Sequence, residues 1–199
     1  SSTFAWNQED SFPMGYDING KEVEPYIYPA KSSGGLLANV NDIAKFIIAG
    51  TETNTVLSPE SVDMIYTPTI ETKGIYKYVS DGYGFGHFID YLPSGKKTVF
   101  SGGQGHGWMS QFHLIPEDKS GIVILTNSQK SWPFFSYIIN DWSIWSSNSS
   151  VKMGIISSSI KYLITLISII FILSLYQMFK VFRDLKRAKR TLAPFLKNN

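Results

Sequence analysis

The 199-residue chain contains no cysteine, which excludes disulfides and any thiolate-ligated metal site. It holds no internal repeats and no low-complexity tracts. Residues 1–28 lack the apolar run of a signal peptide and begin without methionine, so they read as the middle of a longer protein. Charge is sparse, with 18 Lys/Arg against 16 Asp/Glu and a net +2, and it is unevenly placed. Residues 180–199 carry Lys180, Arg183, Lys186, Arg187, Lys189, Arg190 and Lys197 against Asp184 alone, a tail of +6 that leaves −4 on residues 1–179. A basic tail on a mildly acidic body argues against nucleic-acid binding by the body. The apolar content of 43% and aromatic content of 15% suffice for a core and argue against general disorder.

No charge interrupts Tyr162–Phe179, a run of 18 residues between Lys161 and Lys180. As a helix it would just cross a hydrocarbon layer of ~30 Å, helped by snorkelling of the two lysines. A buried core helix is the alternative. It is disfavoured because the apolar residues go all round the helix and charge follows at once. The basic flank places the tail in the cytoplasm and the body outside. The expected organisation is a body over residues 1–145, a polar tether over 146–161, a single membrane span over 162–179 and a basic tail over 180–199. The tether includes the glycosylation triplet Asn148-Ser149-Ser150.

In the body, Asn39 reads as the N-cap of a helix with Asp42 at its third position, apolar Ile43, Phe46 and Ile47 on one side, and Gly50 as its end. Ser58-Pro59-Glu60 opens a second helix, with proline where no amide donor is needed. Gly20-Lys21 suits a hairpin tip, and 67–82 reads as irregular surface. Strands are expected over Tyr83–Tyr91 and Lys97–Phe100, joined by the turn Pro93-Ser94-Gly95, and around Phe112–Leu114 and Ile122–Leu125, joined by 116–121. A helix is expected over Trp132–Trp145, with Phe135, Ile138, Ile139 and Trp142 inward. Asn127 and Ser128 are placed to cap it. Trp132, Trp142 and Trp145 suit either an aromatic belt at a membrane surface or a helix packed on the sheet.

The densest signal is Phe100-Ser101-Gly102-Gly103-Gln104-Gly105-His106-Gly107-Trp108, four glycines in six residues between two apolar runs. Glycines here allow a positive φ or a close backbone approach, so the stretch reads as a tight turn or as a strand edge beside a ligand. Followed by a strand, a proline turn and Gly121-Ile122-Val123-Ile124-Leu125-Thr126-Asn127-Ser128, it resembles the C-terminal part of the β-lactamase-related serine hydrolases, which are penicillin-binding-protein-like and class C-like enzymes. The block Ser32-Ser33-Gly34-Gly35-Leu36 with the helix after it, and Tyr83-Gly84-Phe85-Gly86, extend the resemblance over about residues 25–145 in family order.

The resemblance implies an α+β fold: an antiparallel sheet of about three to five strands with packed helices on one face, here followed by one transmembrane helix. It implies acylation of a serine by an amide, ester or peptide, and no cofactor. The family's Ser-x-x-Lys nucleophile lies upstream of the matching blocks. Ser94–Lys97 and Ser158–Lys161 match it only by chance, so the missing N-terminal half of the same protein is expected to supply the serine. The third family motif falls on Ser101-Gly102-Gly103, with the Gln104 N–H as oxyanion donor. Ser101 stands where the family carries a cation or imidazole. His106 either restores anion binding beside Gly102 or is a turn residue at the strand edge. The spacing of His87, His106 and His113 forces no metal site. The rival function is a non-catalytic ligand-binding or accessory membrane module on the same scaffold.

Overall fold

The computed structural model describes residues 2–5, 12–26, 28–51, 56–147 and 149–189. They fall into two compact units, Ser1–Ser157 and Ser158–Asn199. In the first, β1 (Gly15–Tyr16) and β2 (Glu22–Val23) pair as a hairpin whose tip holds Gly20 at φ 79°. A short helix, α1 (Lys31–Gly34), precedes α2 (Val40–Ala49). The Asn39 side chain starts α2 by accepting the Asp42 N–H at 2.9 Å, and Gly50 ends it. Ser58 caps α3 (Pro59–Ile65) through the Ser61 N–H at 3.2 Å, with Pro59 in the first turn.

Six strands then form one antiparallel sheet in chain order: β3 (Ile70–Glu71), β4 (Gly82–Tyr83), β5 (Phe88–Tyr91), β6 (Lys97–Gln104), β7 (Met109–Ile115) and β8 (Ser120–Thr126). Successive side chains on a strand point to opposite faces, so each strand feeds two cores. Val99 and Leu114 point to the face closed by Ile47 of α2 and by Val62, Ile65 and Tyr66 in and after α3. Phe100, Met109 and Ile115 point to the other, closed by Phe135 and Ile139 of α4 (Phe134–Ser147) together with Val151 and Met153. Burying Phe135 and Ile139 completely stabilises the fold by about 2–3 kcal/mol each. Gly121 lets α2 approach β8, since a Cβ there would sit 2.7 Å from the Ile47 Cδ1.

The α+β architecture and the antiparallel sheet match expectation, but helices cover both faces of the sheet, not one. Six strands replace three to five because β3 and β4 are two residues each, too short to leave an alternating pattern. Around β3 and β4, 67–82 also contains a helical turn over Gly74–Tyr78. The strand expected over Tyr83–Tyr91 is two strands, turned at Gly86 with φ 80°. The stretch expected as a polar tether is partly core. Val151 and Met153 are buried, and Ser157 donates its N–H to the Ser136 hydroxyl at 3.0 Å. Asn148, the acceptor of the glycosylation triplet, and the tail beyond residue 189 lie outside the described residues.

Lys152 fastens this segment to β5. Its N–H donates to Asp90 Oδ2 at 3.0 Å, and its ammonium lies 3.2 Å from Asp90 Oδ1 and pairs with Asp81. Burial pushes the Asp90 carboxyl up to about 6 although the Lys152 cation opposes it. The helix α5 (Gly154–Lys186) begins here and runs for 33 residues. It is long and apolar enough to cross a membrane.

His113 is the odd member of the core. It lies on β7 opposite Phe100, fully buried, its ring stacked on Phe100 with centroids 4.4 Å apart and planes 2° from parallel. Neither ring nitrogen has a hydrogen-bond partner among the described residues. Burial holds its pKa down to about 3. The unfolded chain protonates this histidine near the ordinary value of about 6.5, so the neutral ring's contribution is complete above that pH. It is lost as pH falls toward 3, at about 1.4 kcal/mol per pH unit. Asp90 acts in the opposite sense: its raised pKa favours the fold below the ordinary carboxylate range, and that contribution is lost as pH rises through about 6. The comparison that isolates His113 is therefore wild type against His113→Phe in denaturant unfolding at fixed pH. The variant's stability advantage should grow by about 1.4 kcal/mol for each pH unit from 6 to 4. An advantage that does not change with pH would mean the ring is charged or solvated in the fold.

Candidate active site

The glycine stretch is a strand before it is a turn. β6 runs through Gly102 and Gly103 to Gln104, four residues beyond the expected end at Phe100, and pairs with β7 from Val99–Leu114 to Gln104–Met109. Its other neighbour stops short. The last β5 pair is Phe88 opposite Phe100, and among the described residues no strand pairs with Ser101–Gln104 on that side.

The direction of the amides follows. Gly103 donates its N–H toward β7, to the Ser110 hydroxyl at 3.0 Å, and Gly105 donates to the Trp108 carbonyl at 2.8 Å. Amides alternate in direction along a strand. The Gly102 and Gln104 N–H groups therefore face the open side, where an incoming carbonyl would meet them.

The turn after β6 is held by the β1–β2 hairpin. Gly107 sits at φ 90°, and a Cβ there would lie 2.4 Å from Val23. The Trp108 ring lies over Gly15, where a Cβ would come within 2.7 Å of it. Tyr16 donates its N–H to the Gly107 and Asn127 carbonyls at 3.2 and 3.0 Å. The Tyr28 hydroxyl accepts the His106 N–H at 2.7 Å, and Gln129 donates to the Gly105 carbonyl at 2.9 Å. Tyr28 and Gln129 were not singled out from sequence, since nothing in their surroundings marks a contact with chain so far away.

Of the expected site residues, Ser101, Gly102, Gly103 and Gln104 share one strand, whereas His106 stands on the turn beyond it, exposed, its ring 6.4 Å from that of Tyr26. Ser101 and Gly103 point to the α2–α3 face and Gln104 to the other. The other two histidines stand elsewhere. His113 is in the core, and His87 packs edge-on to Tyr66 and Phe112, its pKa lowered by burial. Asn127 and Ser128 do not cap the next helix. Asn127 donates to the Met14 carbonyl at 2.7 Å and the Ser128 hydroxyl accepts the Lys130 N–H at 3.1 Å, so they serve the hairpin and a turn. A cleft of about 380 Å³ lies at the opposite end of β6, lined by Lys97, Asp63, Tyr66 and Glu117.

The two glycines of the strand differ in what a side chain would meet. At Gly102 a Cβ would lie 2.2 Å from Gln111 Oε1 and 2.8 Å from the Ser110 carbonyl, which is backbone and cannot step aside. At Gly103 it would meet only the Ser110 hydroxyl, at 2.8 Å, which can rotate. Gly102→Ala should cost about 1–3 kcal/mol of stability by overpacking, and Gly103→Ala less than about 1. Thermal unfolding of the two variants side by side checks this; equal melting temperatures would refute the asymmetry.

No family model matches the sequence, and no curated protein matches it. Among solved structures, the chain is similar to the octameric penicillin-binding protein homologue from Pyrococcus abyssi, at 27% sequence identity and a TM-score of 0.61. The likeness covers 72% of this chain and 33% of that one, so the chain spans about a third of that protein's length. The fold is penicillin-binding-protein-like.

Proposed function

We propose that the chain is the C-terminal portion of an extracytoplasmic serine hydrolase of the β-lactamase-related family, anchored by the Tyr162–Phe179 run. The observation that carries this reading is the open edge of β6: two outward amides, at Gly102 and Gln104, beside a Gly103 without a side chain. Such an edge receives an extended acyl group by backbone pairing and holds the oxyanion that develops on its carbonyl.

In the proposed reaction a serine from the upstream part of the protein attacks the carbonyl carbon of an amide, ester or peptide. The carbonyl π pair moves onto oxygen, where the Gln104 N–H stabilises it. Collapse re-forms the carbonyl and expels the amine or alcohol, which takes up the proton that the serine hydroxyl gave up, and water later releases the acyl group from the serine as an acid. Ser101, half-buried on the same strand, donates a hydrogen bond to the substrate's polar end. It brings no charge, so substrates held by a carboxylate depend on His106 or bind weakly.

The test uses the product of the complete gene and a fluorescent penicillin. Wild type should be acylated. Gly103→Val should lose on the order of 10²–10³ in rate with little change in melting temperature, because an oxyanion donor is twisted out of line. Ser101→Ala should lose at most about tenfold, the contribution of one uncharged hydrogen bond. Residues 1–199 alone should not be labelled. Full labelling of Gly103→Val would make β6 scaffold only and favour the non-catalytic ligand-binding module.

The +6 tail belongs in the cytoplasm, because Lys and Arg resist translocation. A fluorescent protein fused after Asn199 should therefore glow, and a phosphatase fused there should stay inactive. The reverse pattern would overturn the extracytoplasmic site.

A further inference from the structure

Gln111 lies on β7 directly opposite Gly102. Facing pairs in an antiparallel ladder alternate between those that exchange backbone hydrogen bonds and those that do not. Gly105 bonds the Trp108 carbonyl, so Gly102 and Gln111 form a pair of the second kind, in which side chains stand closest. With no side chain at Gly102, the Gln111 carboxamide lies across β6. A Cβ at residue 102 would stand 2.2 Å from its Oε1 and 3.1 Å from its Cδ. Gln111 as a whole is 6% exposed, yet its amide makes no hydrogen bond among the described residues. The unbonded side-chain atoms that are sealed from solvent belong to Asp90, Thr98, His113 and Asp118. The Gln111 amide is therefore open, and beyond Gly102 lies the unpaired edge of β6.

The surroundings decide what such an amide can hold. Its neighbours on this face of the sheet are Phe100 and Gln104 along β6, Met109 and His113 along β7, and Ile124 opposite on β8. None of them carries a charge, since burial holds the His113 pKa down to about 3 and keeps its ring neutral. A carboxylate or ammonium brought here would lose water and meet no counter-charge. A second carboxamide matches the first on both sides, because each offers an acceptor oxygen and an NH2 donor.

We propose that Gln111 selects a peptide substrate that carries a primary carboxamide opposite Gly102. The proposal rests on the reading of the β6 edge as the edge that receives the acyl group. A substrate strand added there runs about 4.8 Å from β6, with its side chains alternating between the two faces. The substrate side chain opposite Gly102 on the α4 face then reaches the Gln111 amide, while the acyl carbonyl meets the Gln104 N–H two residues along. Gln111 thus narrows the substrate from any amide or ester to a carboxamide-bearing peptide.

The test uses the product of the complete gene and peptide thioesters that carry Gln, Glu or Met at one of the three residues before the thioester carbonyl. At one of these positions wild type should favour the Gln peptide over the Met and Glu peptides about tenfold in kcat/KM. Gln111→Met should bring that preference to within about twofold. The preference is a ratio measured on one enzyme, so partial misfolding of the variant does not move it. Gln111→Glu keeps the shape and should reject the Glu peptide more strongly than wild type does, because like charges then face each other. Equal rejection by the two would put residue 111 out of the substrate's reach. A preference that persists in Gln111→Met, or no preference at any position, also overturns the proposal, while turnover and penicillin labelling leave the hydrolase reading standing. If wild type takes neither thioester nor penicillin, the hydrolase reading falls and the proposal with it.

Discussion

The pairing of β6 with β7 is the interaction on which both the core and the candidate site depend. Over Val99 and Phe100 the ladder is flanked by β5 on the other side and covered by helices on both faces, so these residues are fully buried. One residue later β5 has ended, the side chains shrink to Ser-Gly-Gly, and the same strand lies exposed. The buried half fixes the position of the exposed half. A strand end held by one ladder alone would fray, but this one continues from a segment that cannot move without opening two cores. Rigid support for open amides is what electrostatic stabilisation of a developing charge requires, because donors already in place do not reorganise during the reaction.

Close approach is the second constraint, and it explains which glycines matter. Gly107 takes a positive φ within contact distance of Val23, and Gly15 leaves room for the Trp108 ring. These two residues lock the hairpin onto the turn from both sides. Gly102 opposes backbone on β7, so its small size serves the ladder. Only Gly103 has open space apart from one rotatable hydroxyl. Within a single run of glycines, then, some are dictated by packing and one, Gly103, is not.

This division was only partly legible in the sequence. The capped starts of α2 and α3 were readable, because Asn39 and Ser58 each act on an amide three residues away. So were the β7 and β8 strands, whose apolar runs are long enough to show a period and whose turn carries its own chemistry. Ser101–Gln104 were readable as a glycine-rich stretch. What was not readable is anything that depends on where another strand stops. The glycines of Ser101–Gln104 left a strand edge and a tight turn both open, and it is β5 ending at Phe88 that makes them an open edge. The helical layer on the second face was hidden for a similar reason. A short helix such as α3 has too few turns for its inward side to stand out before the sheet beneath it is known.

The stretch 146–161 carries a more general point about serine. A run rich in Ser and Asn reads as a solvated tether on composition. In the fold, serines of the preceding helix α4 bond the backbone of this run: Ser136 serves both the Met153 carbonyl and the Ser157 amide, and Ser143 serves the Ser149 carbonyl. A small hydroxyl is the group that lets one helix end pack closely on the next segment without leaving carbonyls or amides unsatisfied. Composition cannot tell a serine facing water from a serine facing a carbonyl. The informative residues were the apolar pair between them, Val151 and Met153, and the cation beside them, Lys152. Two buried side chains and a charge matched to Asp90 would have no role in a loose linker. They draw the chain back onto the sheet before it leaves at Ser157, so the folded unit ends only a few residues before the uncharged run begins.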